Sequence, residues 1–247
     1  MAAKDLVPVP DILSMRRVVA FSPHPDDNEI GAAGTLARLI EMGAQVTWVV
    51  ASDGAMGAFD ASAGSSIVNV RQKEQEAAVA VVGGSALEWL GFHDMTLARH
   101  QEELSGRVYE VIRRLKPDLV MAPDPWCPYE AHPDHRTLGS VVATAAIMAA
   151  FPLVHPEAGA GVDAPSVGFY GTAWPNTLVN VTATFDRKVE ALRAHESQFP
   201  GMQADLITFY LRTKAAELGA EAGCELAEAF KVLSPFHLHF YPDAWQS

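Results

Sequence analysis

The two cysteines of this 247-residue chain, Cys127 and Cys224, are too few to staple a disulfide framework. They also lack the Cys-x-x-Cys spacing of a thiol redox centre or a structural zinc knuckle. A reducing compartment is the natural home for such a chain, and the cytoplasm is the expected location. Basic residues are scarce as well. Lys and Arg total 18 against 30 Asp and Glu, for a formal net charge of -12. Neutralising phosphates takes clustered Lys and Arg, so nucleic acid and anionic membranes are excluded as partners. No apolar run reaches membrane-spanning length, so no membrane insertion is expected. The N-terminal segment, broken by Lys4, Asp5, Pro8 and Pro10, lacks the apolar stretch of a signal peptide. Repeats of fixed period and low-complexity tracts are missing too.

About half of the residues are apolar, 49%, enough to bury one large core, and a single domain over residues 1–247 is expected. Short β-branched runs alternate with longer segments of helical period. Strands are predicted at Val18–Ser22, Gln45–Ala51, Leu87–Leu90 and Asp118–Ala122. Helices are predicted between and after them at Glu29–Met42, Val70–Val82, Gln101–Lys116 and His135–Ala149. Beyond the Pro- and Gly-rich stretch 151–165, further strands are expected at Val167–Tyr170 and Thr177–Val181, and helices near Asp186–His195 and Leu206–Leu218. The alternation implies βαβ units and an α/β fold, a Rossmann-like three-layer αβα arrangement around a mainly parallel sheet. No Gly-x-Gly-x-x-Gly follows the first strand, and Pro23 and Pro25 would obstruct a phosphate there, which argues against a dinucleotide module.

Chemistry concentrates in two loops. Pro23-His24-Pro25-Asp26-Asp27-Asn28-Glu29 lies at the carboxyl end of the first strand, where open α/β sheets place their ligands. The prolines stiffen the turn around His24. His24 and Asp27, three apart in a turn entering a helix, can meet at one point and leave Asp26 free for protons. Tyr129-Glu130-Ala131-His132-Pro133-Asp134-His135-Arg136 repeats the design after the fourth strand. Loops after different strands converge at one sheet edge, so His24, Asp27 and His135 can close a site with an open position. That is the ligand count of a catalytic zinc, whose bound water has a pKa lowered to about 7. A single His or Asp pair would pass as a helix cap, but imidazoles gain nothing as caps that Ser or Asn would not give.

These strings resemble the paired signatures of the LmbE-like, or PIG-L-like, zinc-dependent de-N-acetylases, a HPDD(x)E string and a later HPDH string. The similarity continues through Ile30–Val46, Arg71 with Glu74, Gly91-Phe92-His93-Asp94, and Lys188 to His195-Glu196-Ser197-Gln198. The block Ala122–Arg136 is especially similar to the archaeal diacetylchitobiose deacetylases of that family. The resemblance implies the LmbE-like fold, zinc held by His24, Asp27 and His135, and Asp26 as general base. It implies that His132 stabilises the oxyanion and that Asp134 orients a histidine. It also places Arg71, Asp94 and a C-terminal histidine, His239, against the sugar; alternating Phe236-His237-Leu238-His239 reads equally as an ordinary exposed strand. Glu130 stands where thiol-sugar deacetylases of the family have a tyrosine, and the adjacent Tyr129 would point differently.

The implied activity is removal of the acetyl group from an N-acetylglucosamine-containing sugar by a homo-oligomer, with a symmetric hexamer as the family precedent. The alternatives are an amidase of a thiol–sugar conjugate or glycolipid headgroup, and a metal-containing protein that binds sugar without turnover.

Overall fold

The computed structural model describes residues 6–59, 64, 66–84 and 86–246. Met1–Asp5, part of the N-terminal segment discussed above, lies outside them. In chain order the main elements are β1 (Arg17–Ser22), α1 (Asp27–Glu41), β2 (Gln45–Ser52), α2 (Ser66–Val82), β3 (Ala86–Phe92), α3 (Gln101–Leu115), β4 (Leu119–Pro123) and α4 (Pro133–Met148). They are followed by β5 (Ser166–Tyr170), β6 (Thr177–Asn180), α5 (Phe185–Arg193), α6 (Met202–Ala222), β7 (Ala227–Leu233) and the short α7 (Pro235–His239).

The strands form one sheet in the order β3-β2-β1-β4-β5-β7-β6. The first five are parallel, with Val18 beside both Val46 and Leu119, and β7 runs antiparallel to β5 and β6. Because β1, β2, β4 and β5 are covered on both faces, they read as nearly continuous apolar runs, whereas the edge strand β3 is half-buried. Alternate residues feed two cores. Val18, Ala20, Trp48 and Met121 pack with α1, α2, α5 and α6, whereas Val19, Phe21, Val49 and Ala122 pack with α3 and α4. The expected three-layer α/β arrangement around a mainly parallel sheet is therefore the observed one. Strand order reverses between β1 and β4, the topological switch point at which such sheets bind ligands.

Two departures from the sequence reading occur after residue 200. β7 was not expected, because Glu228 and Lys231 interrupt its apolar pattern; both are buried. The Phe236–His239 stretch is helical rather than a strand. Ser234 caps it reciprocally with His237, and Pro235 occupies the first turn.

One buried ion pair fastens the helix that carries the first motif. Lys188 Nζ lies 2.5 Å from Glu228 Oε1 and also donates to the Ile30 carbonyl at 2.7 Å. Glu228 accepts from the amides of Gly34 at 3.2 Å and Thr35 at 2.7 Å. These contacts reach the backbone of α1 directly, so α5 and β7 anchor that helix through a buried charge pair. Gly34 leaves room for it, since a Cβ there would lie 3.1 Å from Glu228 Oε1.

Candidate active site

The loops after β1, β2, β3 and β4 meet over the switch point and enclose a cavity of about 300 Å³ lined by His24, Asp26, Met56, Gly57, Arg71, Asp94, Met95, His132 and Gln198. At its base Asp27 sits between two imidazoles, with Oδ2 3.2 Å from His24 Nδ1 and Oδ1 3.3 Å from His135 Nε2. The His24, His132 and His135 donors lie within 4.8 Å of one another, as do those of His24, Asp94 and Asp134. His24 Nε2 comes 3.1 Å from Asp94 Oδ1, yet both atoms are buried without a hydrogen-bond partner. Buried polar atoms are ordinarily paired. Nitrogen and carboxylate donors that crowd together without bonding each other suit a cation, so the residues present fit a metal of the zinc class.

The surroundings orient these donors. Glu130 Oε2 lies 3.4 Å from His135 Nδ1, leaving Nε2 toward Asp27, in the manner of a carboxylate that fixes a ligating histidine. The same Glu130 accepts from the His132 amide at 2.8 Å, while Tyr129 is fully exposed. Asp134 accepts from Met95 N–H at 2.8 Å and Leu97 N–H at 3.2 Å, pinning the start of α4 to the loop after β3. Its carboxylate approaches His24, at 3.5 Å, rather than its neighbour His132.

His132 does serve as a cap, contrary to the expectation that an imidazole would not. Its Nδ1 accepts the Asp134 amide at 3.3 Å at the start of α4. An accepting Nδ1 in a neutral imidazole leaves the proton on Nε2. Burial, with the charges of His24 and His135, lowers the His132 pKa. Its ring is therefore a neutral donor.

Asp26 takes the unusual φ of 98° and makes no side-chain cap bond. For a non-glycine residue this conformation costs about 1–3 kcal/mol, and persists only where the surroundings over-determine it. The restraints are visible. Arg71 Nη2 donates to Asp26 Oδ2 at 3.0 Å and to Pro25 C=O at 2.6 Å, and Nη1 donates to Gly54 C=O at 2.9 Å. Gln75 Oε1 accepts the Asp26 amide at 3.1 Å, and Gln75 Nε2 donates to Glu29 Oε1 at 2.9 Å. His195 Nε2 lies 3.7 Å from Glu29 Oε2 behind this relay. Burial and then the charge of Asp27 push the Asp26 pKa up to about 7, against the pull of Arg71, His195 and His24. Burial opposes charge on Asp27 as well, but His135 and His24 hold its carboxyl well below the usual range. Burial works against charge on His24, but the nearby carboxylates of Asp134, Asp27 and Asp94 outweigh it and push its pKa up to about 12.

Of the nine residues singled out in the sequence, eight converge here: His24, Asp26, Asp27, Arg71, Asp94, His132, Asp134 and His135. His239 does not. It is exposed on α7 with its ring centroid 4.6 Å from that of Phe240, and it does not line the cavity. Gln75 and Glu29 were not assigned to the site from sequence, nor was Gln198, which reaches it by donating to Gly57 C=O at 3.1 Å.

The sequence profile described as PIG-L, GlcNAc-PI de-N-acetylase, matches residues 19–146, the stretch that supplies both ligand loops. The chain belongs to the PIG-L family. It is 35% identical to a diacetylchitobiose deacetylase from Thermococcus kodakarensis over 93% of this chain and 88% of the relative. The solved N,N'-diacetylchitobiose deacetylase from Pyrococcus horikoshii, complexed with an inhibitor, superposes with a TM-score of 0.87 at 32% identity, covering 92% of this chain and 87% of that one. A probable N-acetyl-alpha-D-glucosaminyl L-malate deacetylase from Bacillus cereus is 29% identical over 77% of this chain and 87% of its own length. Among the described residues of this PIG-L member, no helix is long and apolar enough to cross a membrane.

Proposed function

We propose that this protein is a cytoplasmic zinc-dependent hydrolase of one domain that removes the acetyl group from N-acetylglucosamine-containing sugars such as N,N'-diacetylchitobiose. The observation that carries the reading is the pairing of a strained, buried Asp26 with the adjacent His24, Asp27 and His135 donors, in a chain 35% identical to a diacetylchitobiose deacetylase. His24, Asp27 and His135 would hold the zinc, which when bound would polarise the amide carbonyl and acidify a water.

The chain's own residues do the rest. Asp26, buried and held in place by Arg71 and Gln75, takes a proton from water as general base, and the resulting hydroxide attacks the acetamide carbon. His132 donates from Nε2 to the developing oxyanion, and as a neutral donor it needs no prior protonation. Asp26 then returns the proton to the amine as the C–N bond breaks, releasing acetate and the free amino sugar. Asp134 acts by fixing the start of α4 beside His24. Arg71 acts first on Asp26, since its guanidinium donates to Asp26 Oδ2 and to the Pro25 and Gly54 carbonyls, and Asp94, held by the Met56 amide at 3.0 Å, faces the cavity toward the sugar.

The test is acetate release by the zinc-loaded protein from N-acetylglucosamine, N,N'-diacetylchitobiose and a thiol-linked N-acetylglucosamine conjugate, with a chelated control. Release from the first two that chelation abolishes is expected. Release from the thiol conjugate alone moves the substrate to the thiol–sugar branch, and release from none with zinc bound overturns the hydrolase reading.

A further inference from the structure

A second cavity, of about 220 Å³, lies over β4, β5 and β7 and does not share a residue with the one just described. Three of the chain's five tryptophans line it, Trp126, Trp174 and Trp245, and these are its exposed tryptophans among the described residues. Two opposite charges share the wall. Asp124 and Lys231 are 5% and 6% exposed. Asp124 Oδ1 accepts the Trp126 amide at 2.9 Å, and the Trp126 ring stands edge-on to Phe169 at 5.5 Å, so this wall is built rather than floppy. Lys231 Nζ donates to the Trp245 carbonyl at 3.2 Å, which ties the C-terminal segment across the cavity.

The chemistry of the wall selects its occupant. Three indoles cage cations well, but an ammonium in the same wall repels them, and Asp124 repels anions. A wholly apolar ligand would draw nothing from the carboxylate and ammonium edges of the wall. What remains is an uncharged molecule with a flat C–H face for an indole and an edge that both donates and accepts. A pyranose ring has that form, since adjacent hydroxyls can donate to Asp124 and accept from Lys231 while the ring face lies on tryptophan.

We infer that this cavity is a saccharide-binding pocket for an uncharged pyranose ring, separate from the metal-centred cavity. The two are close. Gly139 of α4 packs on the Pro123 carbonyl beside Asp124, and the helix rise between His132 and Gly139 puts the pocket about 10 Å or more from His132. A sugar held at the pocket is thus retained on the same sheet edge as the reacting centre.

The lining supplies its own reporter, because the metal-centred cavity contains no tryptophan. Tryptophan emission of the full zinc-loaded protein is titrated with cellobiose, which carries no acetamide, and with N,N'-diacetylchitobiose. Saturable changes with both are expected. Trp174→Ala and Asp124→Asn should each weaken binding roughly tenfold, and Trp174→Phe should restore most of it by returning an aromatic face. If melting shows Trp174→Ala misfolded, Asp124→Asn and Trp174→Phe decide. Unchanged titrations in Asp124→Asn and in the folded tryptophan variants, or no saturable change with either disaccharide, overturn the assignment. The readout needs no turnover, so loss of the deacetylase reading would leave this result interpretable.

Discussion

Replacing Gln75 by Leu should damage both folding and turnover, by amounts that follow from its two hydrogen bonds. Gln75 is fully buried. Its oxygen is the acceptor for the Asp26 amide and its nitrogen a donor to Glu29, so leucine of similar size fills the space and strands both groups. A buried amide left unpaired costs about 1–3 kcal/mol, and a buried carboxylate that loses a donor costs at least as much. Denaturant unfolding should therefore register a loss of about 2–5 kcal/mol. The kinetic effect has a different origin. Asp26 holds a φ of 98° only because its neighbours over-determine it. Without Gln75 the carboxylate is free to relax by about an ångström, which in oriented reactions can cost on the order of 100-fold in rate. The expected signature is a fall in kcat with KM and zinc content little changed. Gln75→Glu keeps the acceptor but sets a carboxylate against Glu29, so it should not rescue. A Gln75→Leu protein with unaltered stability and kcat would refute the relay.

Asp26→Asn should retain zinc and lose turnover by about 10²–10⁴-fold, the usual contribution of a general base; zinc analysis with acetate release checks both halves, and an active Asn variant removes Asp26 from that role. A base must be deprotonated, so kcat/KM should rise with pH on its acid limb. The Asp26 pKa of about 7 applies to the metal-free site, and a bound dication lowers it, so the limb should fall below about 7. A limb above 7 would contradict this. At the opposite sheet edge, Asp118 accepts from the Arg16 and Arg17 amides and pairs with the Arg17 guanidinium at 2.8 Å. Burial there is outweighed by these donors, and the carboxyl is held below its usual value. A depressed folded pKa stabilises above the unfolded value and loses that contribution as pH falls through the folded one. The stability gap between wild type and Asp118→Asn should therefore be full at neutral pH and close below about pH 4; a gap that persists in acid would show that the ion pair is not its source.

How legible these features were in the sequence depended on whether their signals were local. The β1 to β4 alternation was readable because parallel strands buried on both faces are unbroken apolar runs, and the two ligand loops because each repeats a spacing of three before a helix. Glu29, Gln75 and His195 meet from α1, α2 and the turn after α5, and no spacing within any one segment marks such a meeting. The same long-range logic hid β7. Glu228 and Lys231 look like solvent-facing residues, yet each is buried, Glu228 against Lys188 and two helix amides. In the Phe236–His239 stretch a period of two in the side chains drew attention from Ser234 and Pro235, the stronger local signal of a helix start.

The charge pair that anchors α1 also bears on where the working unit of this protein ends. Residues 19–146 carry every donor proposed for the zinc. Nevertheless, Ile30, Gly34 and Thr35 look for partners to Lys188 and Glu228, and Gln198 reaches Gly57 from still another segment. A fragment cut at residue 146 would hold the proposed reagent set on a helix stripped of its buried anchor, with that face toward water. The chemistry is written in the first part of the chain, and its footing is laid by the last.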